Sequence, residues 1–316
     1  MKEEASLEEA ASPSEVPVRE RLYTRSVSWT MLAMYVVGSS AFIVLVVALE
    51  QTRPLRTLLG RSVTAENAFF FAAQLLVLVG GFLFGIARLR PSDVGLIARK
   101  LPQGIVVTIL TWIAIQTSAA IFGYAMGTPP ALAPHWTSGR AGPTLLWAVV
   151  MLLGAGLFEE TVNRGFLYPQ LYLRLRGSHR IRIAAALLAS QCIFALQHIP
   201  AHVFVRHLSA REMTVTVLAQ GLVGAMLALL YLRTRNLWIS IGFHGLANAP
   251  TFLFTESMGW ENMLVLLVIA WPWLVRNPRH RGFAAIDTST REVEPLLQIL
   301  PEPATALHPS SVAQHE

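Results

Sequence analysis

The sequence predicts an all-α membrane protein, a polytopic transmembrane bundle of about eight spans. Three observations predict it. Hydrophobic residues make up 53% of the chain and charged residues only 14%, against about 25% charged in soluble domains. The apolar residues gather into runs near twenty residues long, the length at which a helix crosses a bilayer. The cations are nearly all arginine and sit at the ends of those runs, as membrane topology places them.

The elements follow in order. Residues 1–26 are polar and rich in Glu, Ser and Pro, and are expected to form a disordered tail. The first apolar run, Trp29 to Leu49, is too long and too far from the start for a cleaved signal peptide, and reads as an uncleaved first span. Further spans are expected at about 67–87, 104–125, 143–176, 182–204, 213–232, 236–255 and 261–275. Together they form a membrane domain over 27–282, with the chemistry-bearing motifs inside 143–255. A second Pro/Glu/Ser-rich tail, also expected to be disordered, occupies 283–316.

The net charge of +6 does not imply nucleic acid, because the arginines flank the spans instead of forming a patch. Cys192 is the single cysteine and lies in an apolar segment, so it reads as a small packing residue. Counted over the connecting segments, sixteen Arg and Lys fall on the side of the N-terminus. Six, namely Arg53, Arg56, Arg61, Arg140, Arg206 and Arg211, fall on the other. This bias predicts both termini in the cytoplasm. The first outer loop, with Arg53, Arg56 and Arg61, runs against it.

The most informative residues are Glu159 and Glu160, which follow the membrane-like run 145–158. A charged side chain at the bilayer centre costs roughly 2.5–3.5 kcal/mol on insertion scales, so such residues mark function by default. Arg164 lies four residues after Glu160, on the same helix face, and can pair with it. Glu159 points about 100° away and is left for another task. Their plain alternative is a structural, water-lined vestibule.

Two later spans each supply a histidine. Phe194 lies one turn below His198, while His202 lies one turn beyond it, across Pro200, and competes for the same role. His244 and Asn248 lie one turn apart on one face. Their plain alternative is interhelical hydrogen bonding. For Glu159 to meet His198, the fourth helix must run past Tyr168 to about Arg176, with Pro169 as the expected bend. If it ended at Glu159, His198 would stand roughly 24 Å or more away along its own helix.

A carboxylate with a histidine can activate water, and an imidazole with an amide can hold an oxyanion. That is peptide hydrolysis without a serine or cysteine nucleophile. The sequence has no His-Glu-x-x-His helix, and its only aspartates, Asp93 and Asp287, lie outside the spans. No serine occupies a Gly-x-Ser-x-Gly elbow.

The series Glu159-Glu160-x-x-x-Arg164, Phe194-x-x-x-His198 and His244-x-x-x-Asn248 resembles the CPBP family of CAAX-protease and bacteriocin-processing intramembrane proteases. The resemblance covers about 143–255, with the motifs in the family's order. It implies that Glu159 and His198 activate water, that His244 and Asn248 stabilise the oxyanion, and that Glu160, Arg164 and Phe194 support the site. It further implies a peptide or protein-tail substrate, with lipid modification left open, in a bacterial-type cell membrane. His198, His244 and Glu159 also match a catalytic zinc set. The cofactor stays open between zinc and the metal-free mechanism, towards which the reading leans. A scaffold or regulator of the same fold is the main competitor. A proton-coupled transporter is the other, though the paired repeats such proteins often carry are not evident.

Overall fold

A computed structural model describes residues 22–128, 130–254, 266–272 and 283–285. The expectations for 1–21 and 286–316 lie outside the described residues, as does most of the expected span at 261–275. Within that span residues 266–272 are helical.

Among the described residues six helices are long and apolar enough to cross a membrane. They are α1 (Trp29–Glu50), α3 (Val63–Ile86), α4 (Leu101–Ala125), α6 (Ala141–Arg174), α7 (His179–Phe204) and α8 (Ala210–Thr234). Short helices α2 (Arg53–Leu58) and α5 (Pro134–Thr137) lie in the connections, and α9 (Leu237–Asn248) follows α8. The helical class therefore holds, with six long spans among the described residues where about eight were expected for the chain.

One physical reason accounts for the difference among the described residues. The segment read as a span over 236–255 forms a helix of only 12 residues, about 18 Å long and short of the roughly 30 Å hydrocarbon core. It stops because Pro250 disfavours the helical region for Ala249, which lies at φ −146°, ψ 78°. The last expected span falls mainly outside the described residues.

Local chemistry sets the other boundaries. Ser28 and Ser62 accept from the backbone N–H groups of Met31 and Ala65 at the starts of α1 and α3. Ser209 and Glu212 form a reciprocal capping box at the start of α8. Asn236 accepts from Trp238 N (3.1 Å) to cap α9 and donates to the Lys100 carbonyl (3.0 Å), tying α9 to the start of α4.

The burial pattern is that of a membrane bundle. Val37, Leu188 and Leu222 face outward, whereas Ser39, Thr111, Gln116 and Ser190 are buried. Lipid tails solvate the apolar faces, and the polar groups find partners inside. Two short strands depart from a purely helical chain: β1 (Leu22–Thr24) and β2 (Phe283–Ala285) pair in parallel, Leu22 opposite Phe283. Both strands fall inside the tails expected over 1–26 and 283–316, so Leu22–Thr24 and Phe283–Ala285 are ordered where disorder was expected. Buried Gln170 on α6 fixes the segment after β1, accepting from Val27 N (2.9 Å) and donating to the Arg25 carbonyl (2.7 Å).

α6 positions the chemistry. It runs continuously over 34 residues, about 50 Å at α-helical rise, and passes Glu160 and Tyr168 without a break. It is not uniformly α-helical. Met151–Gly156 and Thr161–Leu167 are π-helical, with the α-helical turn Leu157–Glu160 between them. Pro169 has no N–H to donate, and its ring crowds the preceding turn. The π segment immediately upstream widens that turn. The helix ends at Arg174, where Leu175 turns extended.

α9 packs directly on the first π segment, and glycine makes the approach possible. A Cβ on Gly245 would lie 2.7 Å from Leu152 Cδ1 and 3.1 Å from Leu152 Cα. This close contact brings His244 against the turn that carries the two glutamates.

Candidate active site

The α-helical turn Leu157–Glu160 presents two carboxylates in different directions, because adjacent helical residues diverge by about 100°. Glu160 points into protein and is fully buried. Its Oε1 stands 3.0 Å from Arg164 Nη1 and 2.8 Å from His244 Nδ1. The Arg164 contact is an ion pair not aligned as a hydrogen bond. The His244 contact is a hydrogen bond in which the imidazole donates to the carboxylate.

Arg164 is likewise fully buried. Its Nη2 donates to Gln191 Oε1 at 3.3 Å, and its guanidinium lies 4.9 Å from the centre of the Phe194 ring. Glycine leaves the room: a Cβ on Gly224 would come 2.8 Å from Arg164 Nη2 and would strike Gln191 Oε1. The buried cation is thus held by a carboxylate, an amide and an aromatic face.

Glu159 points the other way, into a small chamber, with 15% of its side chain exposed. His198 Nε2 lies 3.9 Å from its Oε1, and His244 Nε2 lies 3.6 Å from its Oε2. Both imidazoles therefore turn the same nitrogen towards one carboxylate. The other nitrogen of each is already assigned by its partner. His198 Nδ1 is 2.8 Å from the Phe194 carbonyl, which can only accept, so Nδ1 carries the hydrogen. In the neutral ring, Nε2 then holds the lone pair facing Glu159. Phe194 also packs edge-on against His198, with ring centres 4.6 Å apart.

The chamber has a volume of about 180 Å³, with Ser39, Glu159, Asn163, Phe194, Gln197 and His198 among its walls. Separations of 3.6 and 3.9 Å exceed a direct hydrogen bond and suit a bridging water, which sits about 2.8 Å from each partner.

Six of the seven residues singled out in the sequence meet here: Glu159, Glu160, Arg164, Phe194, His198 and His244. Asn248 does not join their hydrogen-bonded network. It is the last residue of α9, is exposed, and makes no side-chain hydrogen bond among the described residues. His202, the competitor of His198, is buried and bonded through Nε2 to Gln220 Oε1 at 3.0 Å, not to either glutamate.

Sequence reasoning missed three polar residues. Asn163 donates to the Glu159 carbonyl at 2.9 Å, and its Oδ1 is buried without a hydrogen-bond partner beside the chamber. Gln191 bonds Arg164, and Gln197 donates to Ser39 and Ser40 of α1 at 2.9 and 3.2 Å. A signal for Asn163 existed: it lies four residues after Glu159, on the same face. The bond from His244 to Glu160 was also unforeseen, since it spans 84 residues.

For a metal, the test is whether the donors converge. Among the described residues no group of three or more His, Cys, Asp or Glu side chains is arranged to hold an ion. The set Glu159, His198 and His244 does not fit a preformed tetrahedral site, so no step below is routed through a metal.

Residues 141–250 match the family model for type II CAAX prenyl endopeptidase Rce1-like proteins. The match begins with α6 and ends just after α9, so it contains all seven residues. No curated protein and no solved structure matches the chain. The long apolar helices make the chain an integral membrane protein, and residues 141–250 carry an Rce1-like type II CAAX prenyl endopeptidase domain, consistent with the CPBP family of CAAX proteases.

Proposed function

We propose that the protein is an intramembrane endopeptidase that hydrolyses peptide bonds in membrane-associated peptides or protein tails, using water activated by Glu159 and His198. One observation carries this reading: two imidazole Nε2 atoms converge on the two oxygens of a single chamber-facing carboxylate, at 3.9 and 3.6 Å.

In the mechanism, a water bridges Glu159 and His198. Glu159 takes its proton, and the oxygen attacks the carbonyl carbon of the scissile bond. His198 Nε2 holds the water in line and shares its proton. The carbonyl π bond opens, and the oxyanion forms beside His244 and Asn248. His244 is fixed through Nδ1 to Glu160, so its Nε2–H, present in the imidazolium, can donate to that oxygen. The Asn248 amide is uncommitted and supplies the second donor. The C–N bond then breaks as Glu159 returns the proton to the leaving nitrogen. One water is consumed, and one acid and one amine are formed.

Glu160 and Arg164 do not touch the reacting atoms in this scheme. They orient His244 and balance charge in a site that water cannot screen. The substrate is a peptide or protein tail reaching the bilayer, and lipid modification of that tail is compatible with the matched family's prenylated substrates. Both termini lie in the cytoplasm, in a bacterial-type cell membrane.

The test compares membrane proteomes of wild-type cells and cells carrying Glu159→Gln. The expected result is a shortened peptide in wild type that is full-length in the variant, with equal amounts of inserted enzyme. Identical peptide profiles and normal biological activity in the variant defeat the endopeptidase reading and favour a scaffold. A variant that changes only proton flux favours a transporter.

A further inference from the structure

The arginines that run against the topology bias converge in space. Arg53, Arg56 and Arg61, from α2 and its flanks, line one cavity with Arg206, which follows α7. Four of the six cations assigned to the outer side thus share a single site. The cavity measures about 810 Å³, within the size range of ligand pockets. It adjoins the catalytic chamber: Glu50, Asn67 and Ala201 line both. An occupant reaching Glu159 therefore has this cavity as its neighbour.

The charges there are largely uncommitted. Arg56 is held by the Glu50 carbonyl (2.7 Å) and Gln51 Oε1 (3.3 Å). Arg53, Arg61 and Arg206 make no side-chain hydrogen bond or ion pair among the described residues. Glu50 and Glu66 also line the wall, so four guanidinium groups against two carboxylates leave the cavity positive. Guanidinium forks match carboxylates in a planar, bidentate geometry. Trp147, Val63 and Val205 give the same cavity apolar walls, which suit a peptide better than a free inorganic ion.

We propose that this arginine-lined cavity is the anion subsite of the enzyme, seating a peptide carboxylate, either a free C-terminus or an acidic side chain, on the part of the substrate that extends beyond the Glu159 chamber. The inference rests on the endopeptidase reading for the word substrate. Its geometry stands apart from the chemistry, because no arginine of the cavity touches Glu159, His198 or His244. It also gives the three arginines of the first outer loop a reason to be where topology disfavours them.

The experiment reads binding with hydrolysis silenced. The full chain carrying Glu159→Gln is placed in phosphatidylcholine nanodiscs and titrated with three fluorescent apolar dodecapeptides of one sequence. The first ends in a free carboxylate, the second in an amide, and the third in an amide preceded by Asp. The expected result is that at least one carboxylate-bearing peptide binds about tenfold tighter than the plain amide, the worth of one or two partly exposed charge pairs. The first and third peptides tell a chain terminus from an acidic side chain. Arg53→Gln/Arg61→Gln/Arg206→Gln should reduce the preference below about twofold, and the matching triple lysine variant should restore part of it. Equal binding of acid and amide forms, no measurable binding of either acid form, or a preference unchanged in the glutamine variant overturns the proposal. So does a glutamine variant that loses only co-purifying phosphatidylglycerol, which assigns the arginines to lipid phosphate. Wild-type protein that selects the carboxylate forms but cleaves nothing supports the subsite and sinks the endopeptidase reading alone.

Discussion

Arg164→Met separates the support of this site from its chemistry. In the native protein the guanidinium sits 3.0 Å from Glu160, with both side chains fully buried. Removing one partner of a buried ion pair typically costs about 3–5 kcal/mol, because it strands the other charge. Two features of the site adjust that figure. His244 still donates to Glu160 at 2.8 Å, so the carboxylate is not left alone and the electrostatic loss sits near the low end. Against this, Arg164 also lies over Phe194, a contact worth about 0.5–2 kcal/mol, and Met recovers part of that through its own packing. The net expectation is a loss of about 3 kcal/mol. The second variant is Arg164→Met/Glu160→Gln, which removes both charges at once. Since replacing a buried pair by neutral groups is often close to neutral, the double variant should recover most of that stability. It should still cleave poorly, because His244 loses its carboxylate. The assay is reversible SDS unfolding of the purified protein in micelles, with inserted protein counted by immunoblot. A single variant as stable as wild type, or a double variant no better than the single, refutes the argument that charge compensation holds this turn.

Further outcomes follow from the same geometry. His198→Gln and Glu159→Gln should each abolish cleavage, and the double variant should be little worse than either, since residues acting on one water are not additive; a double variant inferior by the product of the two losses refutes the shared water. Asn248→Ala should lower kcat by roughly 10²–10³ while leaving stability near wild type, the cost of one oxyanion donor on an exposed residue; unchanged kcat removes Asn248 from the site. A strong chelator should leave the purified enzyme active, whereas complete inhibition reversed by zinc would make His198, His244 and Glu159 ligands. Reporter fusions at both ends should report a cytoplasmic location, and an external C-terminus overturns the orientation.

What was legible in the sequence is what helix periodicity and bilayer cost can express. The i,i+4 spacing of Glu160 and Arg164 foretold their pairing, and the divergence of Glu159 foretold that it would face elsewhere. The depth argument required α6 to continue past Tyr168, and the helix does so, to Arg174. Other features had no local signal. The π segment Thr161–Leu167 mixes polar and apolar residues as the α-helical turns beside it do, so nothing in its composition separates it from α-helix. The short length of α9 was readable: Ala249-Pro250 stops a helix, yet the apolar run across it obscured the stop. The bond from His244 to Glu160 was not readable, because it depends on the depth and rotation of α9 against α6, which Gly245 and Leu152 set by contact. That bond changes the account of the site. The sequence alone assigned Glu160 to Arg164 and His244 to the oxyanion as separate tasks. In the folded protein one buried oxygen, Glu160 Oε1, serves both, pairing with the cation and accepting from the imidazole. The two adjacent glutamates are therefore joined through one imidazole: Glu160 holds His244 through Nδ1, and His244 turns Nε2 towards Glu159, one residue earlier, at 3.6 Å.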